Sequence, residues 1–220
     1  MLYFGIIGIT GRMGQAVVDL LEESEIVGGI SRRSTEKNLK DLVNTSSVII
    51  DFSSPEMSMK AAKVCAEYHT PFVCGTTGFS EEQFQMLRKF SEDTPILYSS
   101  NFCIGIYAIS KLIAQAEKIL SDFNVAIIDR HHNKKKDSPS GTALFLASQL
   151  QKEPQIVSLR VGGVPGDHIC SFSGENEEVV ISHRSFGREA FAAGAIDCAC
   201  WLFFKTHGFY SLEDYVNAEK

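Results

Sequence analysis

The stretch from Asp129 to Ala143 reads Asp-Arg-His-His-Asn-Lys-Lys-Lys-Asp-Ser-Pro-Ser-Gly-Thr-Ala and joins a cationic cluster to the start of a helix. Ser138 or Ser140 can cap that helix and Pro139 suits its first turn. Ser140-Gly141-Thr142 then offer backbone N–H groups beside a residue without a side chain, a seat that a carboxylate can approach. His131, His132 and Lys135 stand next to it and supply cations and proton donors. Such a set suits a dianionic substrate whose hydride acceptor must also receive a proton. The alternative for Arg130 to Lys136 is a solvated basic loop or a nucleic-acid patch, and the adjoining Pro-Ser-Gly-Thr turn favours the anion seat.

A second group of residues suits a nucleotide. Gly8-Ile9-Thr10-Gly11-Arg12-Met13-Gly14 follows a short apolar run and opens a helical pattern, where glycines permit a tight turn and a helix start faces a pyrophosphate. The spacing is G-x-x-G-x-x-G, with Thr10 where the second glycine of G-x-G-x-x-G would stand. The second strand ends in Ser31-Arg32-Arg33 with no carboxylate to take a ribose 2′-hydroxyl. Basic residues there accommodate a 2′-phosphate, so NADPH is the expected cofactor, with NADH possible. Two more strand ends, Cys74-Gly75-Thr76-Thr77-Gly78-Phe79 and Ser99-Ser100-Asn101-Phe102, fall on the same edge of such a sheet and could approach a nicotinamide.

These residues need elements to position them. The first half alternates short apolar runs (3–7, 26–30, 48–52, 71–74, 96–99) with helical patterns (14–23, 55–68, 81–90), the rhythm of a parallel Rossmann-like sheet with crossover helices. After Asn101 come a long apolar helix (104–120), a strand (125–129), a polar loop and a helix (139–150). Three strand-like pieces (156–161, 168–172, 178–183) between Gly and Pro turns predict a mixed or antiparallel sheet, and an apolar helix over 190–204 can return to the first domain. The fold class is α/β with a second α+β domain, divided into 1–102 plus 189–220 and 103–188.

Composition narrows the function classes. A formal net charge of −6 repels nucleic acid and anionic membrane surfaces, so an anion site must be local. The six cysteines form no C-x-x-C pair, which argues for reduced, buried thiols and no metal centre. The apolar N-terminus lacks a basic lead and runs at once into glycines, so it reads as neither signal peptide nor membrane span, and a cytoplasmic protein is expected.

The double histidine, the lysine and Asp137-x-Pro-Ser-Gly-Thr-Ala143, together with Gly-x-x-Gly-Arg-Met-Gly, Asp51-Phe52-Ser53, Gly75-Thr-Thr-Gly-Phe79 and Asn101-Phe102 in the same order, resemble the 4-hydroxy-tetrahydrodipicolinate reductase (dihydrodipicolinate reductase) family over essentially the whole chain. The resemblance implies that His131 is the catalytic histidine and Lys135 the proton donor. It implies that His132, Gly141 and Thr142 bind the substrate's carboxylates, with domain closure excluding water from the hydride path. It assigns Gly8, Ile9, Thr10, Gly11, Arg12, Met13, Arg32, Gly75, Thr76, Thr77, Ser99, Ser100, Asn101 and Phe102 to the cofactor. It also implies a homotetramer built through the second domain's sheet, and no partner beyond a small dicarboxylate substrate. Departures are Ser31 where the family carries an acidic residue, Asp129-Arg130 where it usually has Glu-Ala, and a chain shortened mainly between the second and third strands. Rival readings are a homoserine-type or aspartate-semialdehyde-type dehydrogenase and a non-catalytic nucleotide sensor. The semialdehyde type would need a nucleophilic cysteine beside a histidine, and only Cys103 adjoins the nicotinamide turn. His131, His132 and Lys135 together argue against a sensor.

Overall fold

The computed structural model describes residues 1–31 and 33–218. In chain order the strands are β1 (Phe4–Ile7), β2 (Ile26–Ile30), β3 (Val48–Asp51), β4 (Phe72–Cys74), β5 (Pro95–Tyr98), β6 (Asn124–His131), β7 (Gln155–Arg160), β8 (Gly166–Ser173), β9 (Glu178–Ser185) and β10 (Gly208–Ser211). The helices are α1 (Arg12–Val18), α2 (Glu36–Thr45), α3 (Pro55–Tyr68), α4 (Glu81–Phe90), α5 (Ile104–Ile119), α6 (Gly141–Ala147), α7 (Glu189–Leu202) and α8 (Leu212–Asn217). Two compact units result, Met1–Phe102 with Phe191–Lys220, and Cys103–Ala190.

The first unit is a six-stranded sheet in the order β10-β5-β4-β3-β1-β2, parallel throughout. Its inner strands are apolar at successive positions because both faces are covered; Ile7, Ile49, Phe72 and Ile96 are all buried in one cluster with Leu87 of α4 and Ala61 of α3. From β1 the chain passes to β2 on one side, and β3 lies on the other. That reversal opens a crevice beyond the carboxyl ends of β1 and β3, where doubly wound sheets hold ligands.

The second unit carries a four-stranded mixed sheet, β7-β6-β8-β9, with β6 parallel to β7 and antiparallel to β8, and β8 antiparallel to β9. Along β6 the side chains of Val125, Ile127, Asp129 and His131 are buried in alternation with half-buried neighbours. Two apolar residues therefore set the inward face, and an aspartate and a histidine continue it.

Several elements differ from the sequence expectation. β6 runs on through Arg130 and His131, so the histidine is a strand residue rather than a loop residue. The helix expected over 139–150 is shorter, because Ser140 caps it by accepting the Ala143 N–H at 3.1 Å. α1 begins at Arg12 and ends at Val18, since a separate capping box between Glu22 and Glu25 winds a short 3-10 turn where the helix was expected to continue. α2, β10 and α8 were not foreseen. Among the described residues, no helix is long and apolar enough to cross a membrane.

Candidate active site

Sheet register assembles the polar centre of the second unit. Asp129 on β6 stands opposite Ser158 of β7 and His168 of β8, and His131 stands opposite Arg160. Their side chains share one face, and Asp129, His131 and His168 are all buried.

The Asp129 carboxylate is the hub. Its Oδ2 accepts the Ser140 backbone N–H at 2.8 Å, the Arg160 Nη2 at 2.9 Å and the Ser158 hydroxyl at 3.1 Å. Its Oδ1 lies 2.8 Å from His131 Nδ1 and 3.5 Å from His168 Nε2. The contact with His131 is not aligned as a hydrogen bond, so that imidazole is held mainly by packing. Burial pushes the Asp129 carboxyl up, but Ser140, Arg160 and His131 outweigh it and hold the pKa at about 2. Burial pushes His131 down, opposed by Asp129 and reinforced by Lys135 and Arg160. His168 falls to about 4 through burial and the neighbouring His131, whose ring meets it edge-on with centroids 5.2 Å apart. The site is thus a fixed anion with two imidazoles biased to the neutral form.

Around this hub the chain presents what could meet a ligand. Arg160 also donates to the carbonyl of Asp137 at 2.6 Å, tying the loop to β7. Within that loop Lys135 Nζ is 2.8 Å from Asp137 Oδ2, and the lysine holds the aspartate's carboxyl below its ordinary range. Gly141 is exposed, and a Cβ placed on it would meet nothing within 4 Å. Thr142, next to it, and His132, nine positions before it, are half-buried. His131 itself is only 7% exposed, and its Nε2 would stand 3.1 Å from a Cβ on Gly166.

In the first unit the glycine turn closes over the end of β3. Gly8 has φ +82°, and a Cβ there would sit 2.4 Å from the Phe52 carbonyl oxygen. A Cβ on Gly75 would sit 2.1 Å from the Phe52 ring, so the turn after β4 is also pressed against β3. A cavity of about 430 Å³ opens here, lined by Gly8, Thr10, Gly11, Ser31, Ser53 and Ser54. Gly8 and Gly11 thus form part of an open cradle at the end of the sheet. Ile9 packs over Gly29, Thr10 and Arg12 are exposed, and Met13 is half-buried. Thr77 and Ser100 are exposed, whereas Thr76 is buried. The Ser99 hydroxyl donates to the Asn101 carbonyl at 2.6 Å and accepts its N–H at 3.2 Å. Phe102 is 2% exposed and packs edge-on against Phe52, which makes its ring part of the core. Arg32 lies outside the described residues.

Residues 3–102 match the family model described as "Dihydrodipicolinate reductase, N-terminus", and residues 105–216 match "Dihydrodipicolinate reductase, C-terminus". The 4-hydroxy-tetrahydrodipicolinate reductase of Thermosipho africanus is 38% identical over 213 residues, covering 97% of each chain. That of Rickettsia rickettsii is 37% identical over 235 residues, covering 97% of this chain and 98% of the relative. The chain belongs to the dihydrodipicolinate reductase family. Its fold is that of the solved, dipicolinate-bound dihydrodipicolinate reductase from Paenisporosarcina sp. TG-14, with TM-score 0.78, 21% identity and coverage of 96% of this chain and 97% of that one.

Sequence reasoning found the histidines and the lysine but missed what holds them. Asp129 and His168 carried a signal: each is a polar residue at a buried position on a face it shares with apolar ones, Val125 and Ile127 on β6 and Cys170 and Phe172 on β8. Ser158 and Arg160 carried none, because on β7 the apolar Val157 and Leu159 are the exposed residues. Arg130, the other departure at the start of the tract, points to the opposite face and donates to Asp167, its cross-strand neighbour.

Proposed function

We propose that the loop and helix start from His131 to Thr142 bind the two carboxylates of the substrate and deliver its proton, and that the turns at Gly8–Met13, Gly75–Thr77 and Ser99–Phe102 hold NADPH. As a family member the chain is an NAD(P)H-dependent oxidoreductase that reduces 4-hydroxy-tetrahydrodipicolinate to tetrahydrodipicolinate in lysine and diaminopimelate biosynthesis. When bound, the reduced nicotinamide supplies the hydride. The chain's own residues supply the rest.

The observation that carries the reading is the open face of Gly141 directly after the Ser140 cap, next to a loop whose cations are held in place by Arg160 and Asp137. A carboxylate can approach the chain at Gly141, where no side chain stands in the way, while Lys135 offsets its charge and His132 and Thr142 are placed to contact it. Lys135 is the proton donor in this scheme, because it is partly exposed, whereas His131 is walled in by Asp129 and Gly166. His131 then acts by shaping the field around the donor.

NADPH is favoured over NADH because β2, which ends at Ile30, is followed by Ser31 and not by a carboxylate, and Arg33 beyond it is exposed. A homotetramer, implied by the family resemblance, and a cytoplasmic location complete the proposal. Replacing Lys135 by Ala tests it: turnover should fall far more than NADPH affinity, and an equal loss of both would remove Lys135 from the chemistry.

A further inference from the structure

β3 ends in Asp51, a carboxylate with no exposed surface. Among the described residues no lysine or arginine pairs with it; its partners are the hydroxyls of Ser53, Ser58 and Thr76 and the Cys74 thiol. Burial pushes the carboxyl above its usual range, and those four donors oppose the rise. Such a group costs more to bury than an apolar side chain of the same size, so its neighbours need what only an acceptor gives.

What they need is a fixed orientation. The Thr76 hydroxyl donates to Asp51 Oδ2 at 3.0 Å and accepts the Ser53 backbone N–H at 2.9 Å. With its hydrogen committed to the carboxylate, Thr76 presents a lone pair to Ser53 and pins the turn after β3 to the turn after β4. The Gly75 N–H donates to the Asp51 carbonyl at 2.8 Å, the second tie between the same turns. Phe52, between Asp51 and Ser53, carries the carbonyl against which Gly8 is pressed and the ring against which Gly75 is pressed. Ser53 and Ser54 line the cavity under the glycine turn.

We infer that Asp51 is a positioning residue for the nucleotide: without touching the ligand, its carboxylate locks the turns after β1, β3 and β4 into the one arrangement that leaves the cradle open. The inference rests on the reading of that cradle as the cofactor site. Ser58, which donates to the same carboxylate from the first turn of α3, ties the helix into the lock.

The test is NADPH binding to the full chain, followed by the fluorescence of the reduced nicotinamide, alongside thermal unfolding. Asp51→Asn keeps the shape and removes the charge. NADPH Kd should rise about tenfold, equivalent to about 1.4 kcal/mol, while KM for the dicarboxylate substrate stays at the wild-type value. Asp51→Asn with wild-type NADPH affinity and a lowered melting midpoint would make Asp51 a structural residue only and overturn the inference. If Asp51→Asn does not fold, the Thr76 pair decides: Thr76→Val should weaken NADPH and Thr76→Ser, which restores both hydrogen bonds, should recover most of the loss. Equal affinity in Val and Ser would overturn it as well. A wild-type chain that binds neither NADPH nor NADH would instead overturn the reading of the cradle beneath it.

Discussion

Asp129→Asn perturbs the hub of the second unit at constant volume. An asparagine oxygen turned toward Ser140, Ser158 and Arg160 keeps three acceptor contacts, but the Ser140 N–H bond loses its charge assistance and the Arg160 guanidinium keeps only a neutral acceptor. A hydrogen bond to a charged group contributes about 1.5–3 kcal/mol and a neutral one about 1, so the two weakened bonds lose about 1–4 kcal/mol. For a chain of this size that lowers the melting midpoint by about 2–16 °C. The amide nitrogen would face His131 Nδ1, where a carboxylate oxygen now stands at 2.8 Å, so the imidazole must carry its proton on Nε2 or turn away. Displacement of a group by about 1 Å costs on the order of 10²-fold in rate, which sets the expected fall in kcat. NADPH affinity should not change, because Asp129 belongs to the other unit. Steady-state kinetics, nucleotide titration and calorimetry on the purified variant measure all three. A lowered midpoint with wild-type kcat would refute the reasoning, leaving Asp129 with no part in the reaction.

Other outcomes follow from the same geometry. His168 has its pKa held at about 4 against an ordinary 6.5, so the folded state prefers it neutral; its contribution is complete above pH 6.5 and is lost as the pH falls toward 4. That loss amounts to about 2–4 kcal/mol, and urea midpoints for wild type and His168→Gln should converge across this window; parallel curves would contradict it. Gly8→Ala places a methyl group against the Phe52 carbonyl in a left-handed backbone, a strain of about 1–2 kcal/mol before the clash; NADPH titration should show at least about tenfold weaker binding. Ser31→Asp puts a carboxylate where the 2′-phosphate is expected, and the ratio of NADPH to NADH efficiency should drop by about tenfold or more. An unchanged ratio would mean that the end of β2 does not read the cofactor.

Much of the fold was legible because its signals are local. α3 and α4 match their expected spans, since Pro55 at a helix start and the Ser80–Gln83 capping box mark their beginnings. α2 carries an equally plain signal, the Thr35–Asn38 box followed by Leu39, Leu42 and Val43 on one face. β10 has four half-buried residues and no periodicity to set it apart; only its pairing with β5 makes it a strand. For the site, the cationic loop and the Ser140 cap stand in one contiguous stretch. The Asp129 hub is non-local: it depends on cross-strand neighbours 29 and 39 positions away at Ser158 and His168, a register that no local pattern specifies. Motif position also does not fix a side chain's orientation: the Phe102 ring is buried against Phe52.

The central claim is an NADPH-dependent reduction of a cyclic dicarboxylate. Its most direct test mixes the purified protein with 4-hydroxy-tetrahydrodipicolinate, generated in place by its synthase from pyruvate and aspartate semialdehyde, and follows the absorbance of the reduced nicotinamide with NADPH and with NADH. Oxidation that depends on the substrate and runs faster with NADPH is the predicted result. Binding of NADPH without any substrate-dependent oxidation of either nucleotide would contradict it.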